Sequence, residues 1–142
     1  MNGNTTLISR TSLSGVSTGE IIESLGIACI IVLIITAFFR FAIVCGPSME
    51  PTLNDGDVIL VSRFAKVEKG DIVVAENNGK FIVKRVCGTE GDTVNNTAVG
   101  NGEYYLMGDN RSHSYDSRKF GSVRDIRGKV ICRILPNARL MK

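Results

Sequence analysis

The sequence of 142 residues has one histidine, His113, and four cysteines, no two of them spaced C-x-x-C. That argues against a zinc ribbon, whose ligands come as closely spaced thiolate pairs. It has no G-x-x-x-x-G-K-S/T phosphate loop and no metal-ligand cluster, so no cofactor and no metal are expected. It lacks internal repeats and low-complexity tracts. Its composition excludes a disordered chain, a collagen-like repeat and a polytopic transporter. Neither sign of charge dominates: 17 Lys and Arg face 14 Asp and Glu, for a net charge of +3. The length allows one domain of ordinary size and little more.

What the chain does have is an uneven distribution of apolar residues. With 22% charged residues the mean hydropathy is still +0.13, so the apolar residues must be concentrated. From Ser24 to Phe39 no residue is charged. That run reaches the ~20 residues of a membrane-crossing helix if Arg40 lies near one end and extends its guanidinium to the interface. The remaining chain is too small to wrap a soluble helix of such uniform apolarity. The preceding flank carries Glu20 and Glu23, with only Arg10 basic, unlike a cleavable secretory signal. The expected organisation is a flexible polar tail over residues 1–20, an uncleaved membrane anchor helix over 21–45 and a globular domain over 46–142. Arg10 on one side of the span and Arg40 on the other leave its orientation undecided by charge.

After residue 46 the pattern is β. Residues 57–61, 71–76, 80–86, 104–107 and 129–135 are short runs rich in β-branched residues, and Asn77-Asn78-Gly79 reads as a hairpin turn. The fold class expected is mainly β: a small, coiled, barrel-like antiparallel sheet behind one N-terminal transmembrane helix. Cys29 lies in the span, and Cys45, Cys87 and Cys132 are an odd set, so all are expected as free thiols. Residues 111–142 are strongly basic. Next to a membrane span, lipid explains that charge more economically than nucleic acid.

Two loops carry more chemistry than a turn needs. In residues 46–53, GPSMEPTL, Ser48 sits on a backbone stiffened by Pro47 and Pro51. Residues 108–121, GDNRSHSYDSRKFG, are dense enough in polar groups to form a hydrogen-bonded network. A nucleophilic serine needs a base, and two candidates exist. His113 lies mid-loop without an apolar frame. Lys84 lies in KFIVKRV; if it faces inward, desolvation lowers its pKa and makes it a competent base.

GPSMEPTL, KRV and MGDNRSHSYDSR, in this order behind a membrane span, resemble the bacterial type I signal peptidases (leader peptidases), over about residues 21–135. The resemblance implies a serine endopeptidase using a Ser/Lys dyad, with Ser48 as nucleophile and Lys84 as general base. Ser114 would orient the amine. Asp116 and Arg118 would pair and hold the second loop, with Arg85 close enough to join them. The Ser48 N–H would serve an oxyanion hole, and Met49, Leu53 and Val83 would line a pocket for small side chains. The sequence departs from some members in having Gly46 where they carry a second, serine oxyanion donor. The stretch from Lys84 to Gly108 is also short, as in a minimal form. The implied partners are secretory preproteins with small residues at the first and third positions before the cut, and membrane lipid. The implied location is the cell membrane, single-pass, with the N-terminus cytoplasmic and the catalytic domain outside. A span ending near Val44 would leave Ser48 about four residues, at most ~14 Å, from the bilayer. Two other readings compete. A self-processing repressor-type peptidase has a similar serine loop but no anchor. A non-catalytic membrane-tethered β module would use the basic C-terminal face to bind lipid or a partner, leaving Ser48 and Lys84 dispensable.

Overall fold

A computed structural model describes residues 17–136 and 139–141. The chain divides into two compact units, residues 1–34 and 35–142. The apolar run folds as helix α1, Thr18–Phe38, 21 residues with none buried. At ~1.5 Å per residue it is about 31 Å long, the thickness of a bilayer's hydrocarbon core. It opens on a reciprocal cap: the Ser17 N–H donates to Glu20 Oε2 at 2.8 Å and the Glu20 N–H donates to Ser17 Oγ at 3.3 Å.

The helix stops earlier than its hydropathy suggests. Residues 39–43, expected as the end of the anchor, form strand β1, Phe39–Ile43. The reason is a change of period. Phe39, Phe41 and Ile43 fall on one face and Arg40 and Ala42 on the other, and β2, Val58–Ser62, pairs with β1 along its whole length. Arg63, just past β2, supplies partners for the helix's last carbonyls: its N–H donates to Phe38 O at 3.0 Å and its Nη1 to Ala37 O at 3.4 Å. Ser48 therefore follows the end of the helix by about ten residues rather than four, the intervening chain being mostly strand. Most of the polar tail expected over residues 1–20 lies outside the described residues.

The other elements are β3 (Ile72–Asn77), β4 (Lys80–Gly88), β5 (Thr93–Val94), β6 (Thr97–Ala98), β7 (Tyr105–Met107), the short helix α2 (Ser117–Phe120), β8 (Ile126–Leu135) and β9 (Arg139–Leu140). Strands β1-β2-β8-β3-β4-β7 form one sheet in that order, with β9 on β8 and a separate β5-β6 ribbon, and every pairing is antiparallel. The register shifts where β8 meets β2 and β3, and where β4 meets β7, and irregularities of this kind bend and twist a sheet locally. The β3–β4 hairpin turns at Asn78 (φ 51°) and Gly79 (φ 74°), the two positive φ angles of a tight hairpin.

Strand β3 is central and buried on both faces, which explains its continuous apolar run. Ile72 and Val74 join a cluster with Met49, Leu53, Ile59 and Val130, while Val73 and Ala75 join another with Val86, Leu106 and Val123. All four cysteines are free thiols.

Candidate active site

Ser48 is the middle residue of a single 3-10 turn, Pro47–Met49, between β1 and β2. Gly46 enters that turn at φ 87°, a conformation costly for any residue with a Cβ, and its N–H donates to Asp55 Oδ1 at 2.7 Å. Met49 and Leu53 anchor the loop on its other side, both with 0% exposure. The turn is thus fixed by a hydrogen bond before the serine and by core burial after it.

Lys84 lies on β4 opposite Val73 of the central strand and is 5% exposed. Its Nζ is 2.7 Å from Ser48 Oγ and 3.0 Å from Val83 O. The fold brings together two side chains 36 residues apart. Burial lowers the pKa of this amine, and the nearby Asp116 carboxylate works in the opposite direction without cancelling it.

Residues 108–121 close over this pair. Gly108 lies where a Cβ would collide with Ser114 Oγ and with the Ser48 carbonyl. The Asn110 N–H donates to that carbonyl at 3.1 Å. Asp116, with 0% exposure, caps α2 and receives the Gly108 N–H at 2.9 Å, Arg118 Nε at 2.8 Å and Arg118 Nη2 at 3.0 Å. Burial alone would raise the pKa of Asp116. The Arg118 guanidinium, the nearby Ser114 hydroxyl and the backbone donors outweigh it and hold the value down to about 2.

A second clamp joins three segments. Asp109 receives Arg85 Nε at 2.8 Å and Arg85 Nη2 at 2.6 Å in a bidentate pair, and Thr52 Oγ1 donates to it at 2.6 Å. Arg85 Nη1 also donates to Gly70 O at 2.6 Å. The residue after the lysine and the residue four beyond the serine are therefore tied to one carboxylate. Burial disfavours the Asp109 anion, yet Arg85 and Thr52 keep its pKa below the usual carboxylate value.

The family model for signal peptidase, peptidase S26, matches residues 18–98 and 95–135, most of the chain. This protein belongs to the peptidase S26 signal peptidase family. Subunit 1 of the mitochondrial inner membrane protease of Xenopus tropicalis is 42% identical to this signal peptidase over 66% of this chain and 68% of its own length. The same subunit of Schizosaccharomyces pombe is 34% identical over 72% and 78%. Signal peptidase I of Bacillus licheniformis is 32% identical over 70% and 77%. The relatives thus span mitochondrial and bacterial members, and the Xenopus protein has a higher identity than the bacterial one. That makes the family resemblance broader than the bacterial type alone. The protein is a membrane-associated peptidase of signal-peptide removal, with one helix among the described residues long and apolar enough to span.

Within this signal peptidase the expected site residues divide. Ser48 and Lys84 meet, and Asp116 pairs with Arg118. Arg85, expected beside that pair, reaches Asp109 instead, because Asp109 lies within reach of both guanidinium nitrogens. Ser114 Oγ is buried beside Gly108 and close to Asp116, but it makes no well-formed hydrogen bond, so the expected bond to the lysine amine is not formed. Met49 and Leu53 are core residues with no exposed surface; of the three side chains expected to line a pocket, only Val83 keeps partial exposure. His113 is exposed and contacts Ser112 Oγ and Asn110 Oδ1 in its own loop. Asp109 and Thr52 are the members that sequence reasoning missed. Asp109 stood in plain view in the polar loop, but nothing in the sequence said which carboxylate Arg85 would choose. Among the described residues no group of three or more His, Cys, Asp or Glu could hold a metal ion.

Proposed function

We propose that this peptidase cleaves signal peptides from preproteins with Ser48 as nucleophile and Lys84 as general base. The observation that carries the reading is the 2.7 Å contact between Ser48 Oγ and an amine whose pKa is lowered by burial. Neutral Lys84 accepts the Ser48 hydroxyl proton as Oγ attacks the carbonyl carbon before the scissile bond. The negative oxygen that develops is met by the Ser48 backbone N–H; Gly46 offers no side-chain donor to share that work. The tetrahedral intermediate collapses as the lysine ammonium passes its proton to the leaving amine, releasing the mature protein and leaving the signal peptide esterified to Ser48. A water then gives a proton to Lys84, attacks the ester, and regenerates both side chains as the signal peptide departs.

A neutral amine has two N–H donors and one lone pair. In the reactive form the lone pair faces the Ser48 hydroxyl and one N–H stays on Val83 O. The remaining N–H needs an acceptor, and the buried Ser114 hydroxyl, lacking a well-formed partner of its own, serves as one. Asp116 with Arg118, and Arg85 with Asp109, hold the loops that carry these groups. Substrates are preproteins with small residues at the first and third positions before the cut, presented in extended form with Val83 beneath them. The enzyme is anchored once, with its N-terminus on the side from which preproteins depart and the β unit on the side where they emerge.

The test is cleavage of a preprotein by the purified full chain in detergent. Ser48→Ala and Lys84→Ala should each reduce cleavage to background while circular dichroism and Tm stay near wild type. Near-normal cleavage by either variant overturns the dyad. The rate of the wild-type enzyme should rise with pH as Lys84 deprotonates, at a pH below the 10.5 of an ordinary lysine. A profile flat from mildly acidic to alkaline pH counts against Lys84 as base.

A further inference from the structure

Asp57 is a buried charge that the reaction does not use. It is 2% exposed and stands at the foot of the loop that carries Ser48. The loop closes on itself there. The Val44 N–H donates to Asp57 O at 2.9 Å and the Gly56 N–H to Val44 O at 2.9 Å. The Asp57 N–H donates to Asn54 O at 3.1 Å, and Asp57 Oδ2 receives the Asn54 N–H at 2.9 Å. The same carboxylate oxygen receives Arg133 Nη1, from β8, at 3.1 Å across 76 residues of sequence. The side chains of this ion pair are 15% and 3% exposed. Arg133 stands directly opposite Ile59, a core residue with 0% exposure, so its side chain leaves the sheet on the core side. The register of β2 on β8 shifts beside it, between Val58 and Ile59, the kind of irregularity that re-aims a side chain.

Burying such a pair costs about as much in lost hydration as its attraction returns, so stability is a poor account of it. What it supplies is direction, because one oxygen ties the foot of the serine loop to a chosen place on the sheet. Beyond the foot the loop is stiff: the Gly46 N–H is bonded to Asp55, the Leu53 N–H donates to Met49 O at 3.0 Å, and Met49 and Leu53 are buried. A shift at Asp57 is therefore carried to Ser48 and not absorbed on the way. On its other side β8 is joined through β3 to β4, the strand of Lys84. Arg133 thus relates the loop of the nucleophile to the sheet that carries the base, through atoms that the Asp109 clamp does not share. We propose that Arg133 is a positioning residue of this peptidase: through Asp57 it sets where the Ser48 hydroxyl stands against the Lys84 amine. This role presupposes the Ser48/Lys84 dyad.

The test is preprotein cleavage by the full chain in detergent, at a temperature well below the Tm of every variant. Arg133→Met should lower kcat about tenfold or more, with KM within about twofold of wild type. Arg133→Lys, which keeps a charge able to reach Asp57, should recover most of that loss. The pH at which the rate of Arg133→Met rises should not move, because burial and Asp116, and not this pair, tune the Lys84 amine. In the double variant Asp57→Asn/Arg133→Met the losses should not multiply, since one residue acts through the other. A lowered Tm with unchanged kcat makes the pair merely structural and overturns the proposal. So does a rise in KM at constant kcat, which would put Arg133 at the substrate, or losses that multiply, which would separate it from Asp57. If Arg133→Met does not fold, Arg133→Gln takes its place, and an unchanged kcat overturns the proposal in the same way. Ser48→Ala and Lys84→Ala are assayed beside these variants. Cleavage by either is a failure of the dyad; background cleavage by both, with kcat unchanged in Arg133→Met, is a failure of the positioning role alone.

Discussion

The polar loop holds two carboxylate–guanidinium pairs of nearly equal length and very different reach. Asp116 binds Arg118, two residues away, and organises its own loop by receiving the Gly108 N–H and capping α2. Asp109 binds Arg85 across 24 residues and Thr52 across 57, and so connects the serine loop, the lysine strand and the polar loop at one point. The first pair shapes a loop and sets the field around the lysine. The second fixes where the serine stands relative to that lysine. Proximity of reacting groups is sensitive to displacements of about 1 Å, so the long-range pair should matter more for rate and the local pair more for charge.

Breaking the long-range pair is the strongest challenge to this comparison. Asp109→Ala leaves Arg85 and Thr52 without their shared acceptor; a loss of about 3 kcal/mol in stability and ~10²-fold or more in kcat/KM is expected from urea titration and preprotein cleavage. A variant that loses stability but keeps its rate would show that the pair supports the fold and not the alignment. The next effect is electrostatic. Asp116→Asn can keep the Gly108 hydrogen bond but removes the negative charge that holds the Lys84 pKa up. Its rate should begin to rise at a lower pH than that of the wild type. An unmoved profile would deny Asp116 its influence on the amine.

The same variant has a signature in stability. Folded Asp116 stays ionised down to about 2, against 3.8 for the ordinary group. Between those values the unfolded chain binds more protons, so the wild-type contribution is present above the higher value and is lost as pH falls through the lower one. Asp116→Asn should lack that acid-side slope in a Tm series. The smallest effect is expected from Thr52→Val, which removes one hydrogen bond to Asp109 at nearly constant shape: about 1 kcal/mol and a few-fold in rate, with the pH profile unchanged. A loss as large as that of Asp109→Ala would make Thr52, and not Arg85, the principal tie.

Much of this was legible in the residues, for identifiable reasons. The runs that became β2, β3, β4, β7 and β8 are β-branched and bounded by turn residues, and Asn78-Gly79 can adopt positive φ where other residues resist it. The meeting of Ser48 and Lys84 was legible through motif order; their 2.7 Å contact needed the sheet. The boundary at Phe38 was hidden because hydropathy continues unchanged from helix into strand, and only the period-two placement of Phe39, Phe41 and Ile43 marks the change. Met49 and Leu53 looked like pocket residues because an apolar side chain in a loop reads alike whether it faces a ligand or the core. The choice of Asp109 by Arg85 was illegible because charge alone does not select among the carboxylates of one loop.

Gly108 carries a liability for the whole molecule. Its bare α-carbon is where the serine's own carbonyl and the Ser114 hydroxyl come to rest, with no spare volume beside it. A single methyl group there would act as a shim, prying apart the parts of a 15.4 kDa enzyme that must touch to work. Such tightness makes one of the smallest residues in the chain one of the hardest to replace.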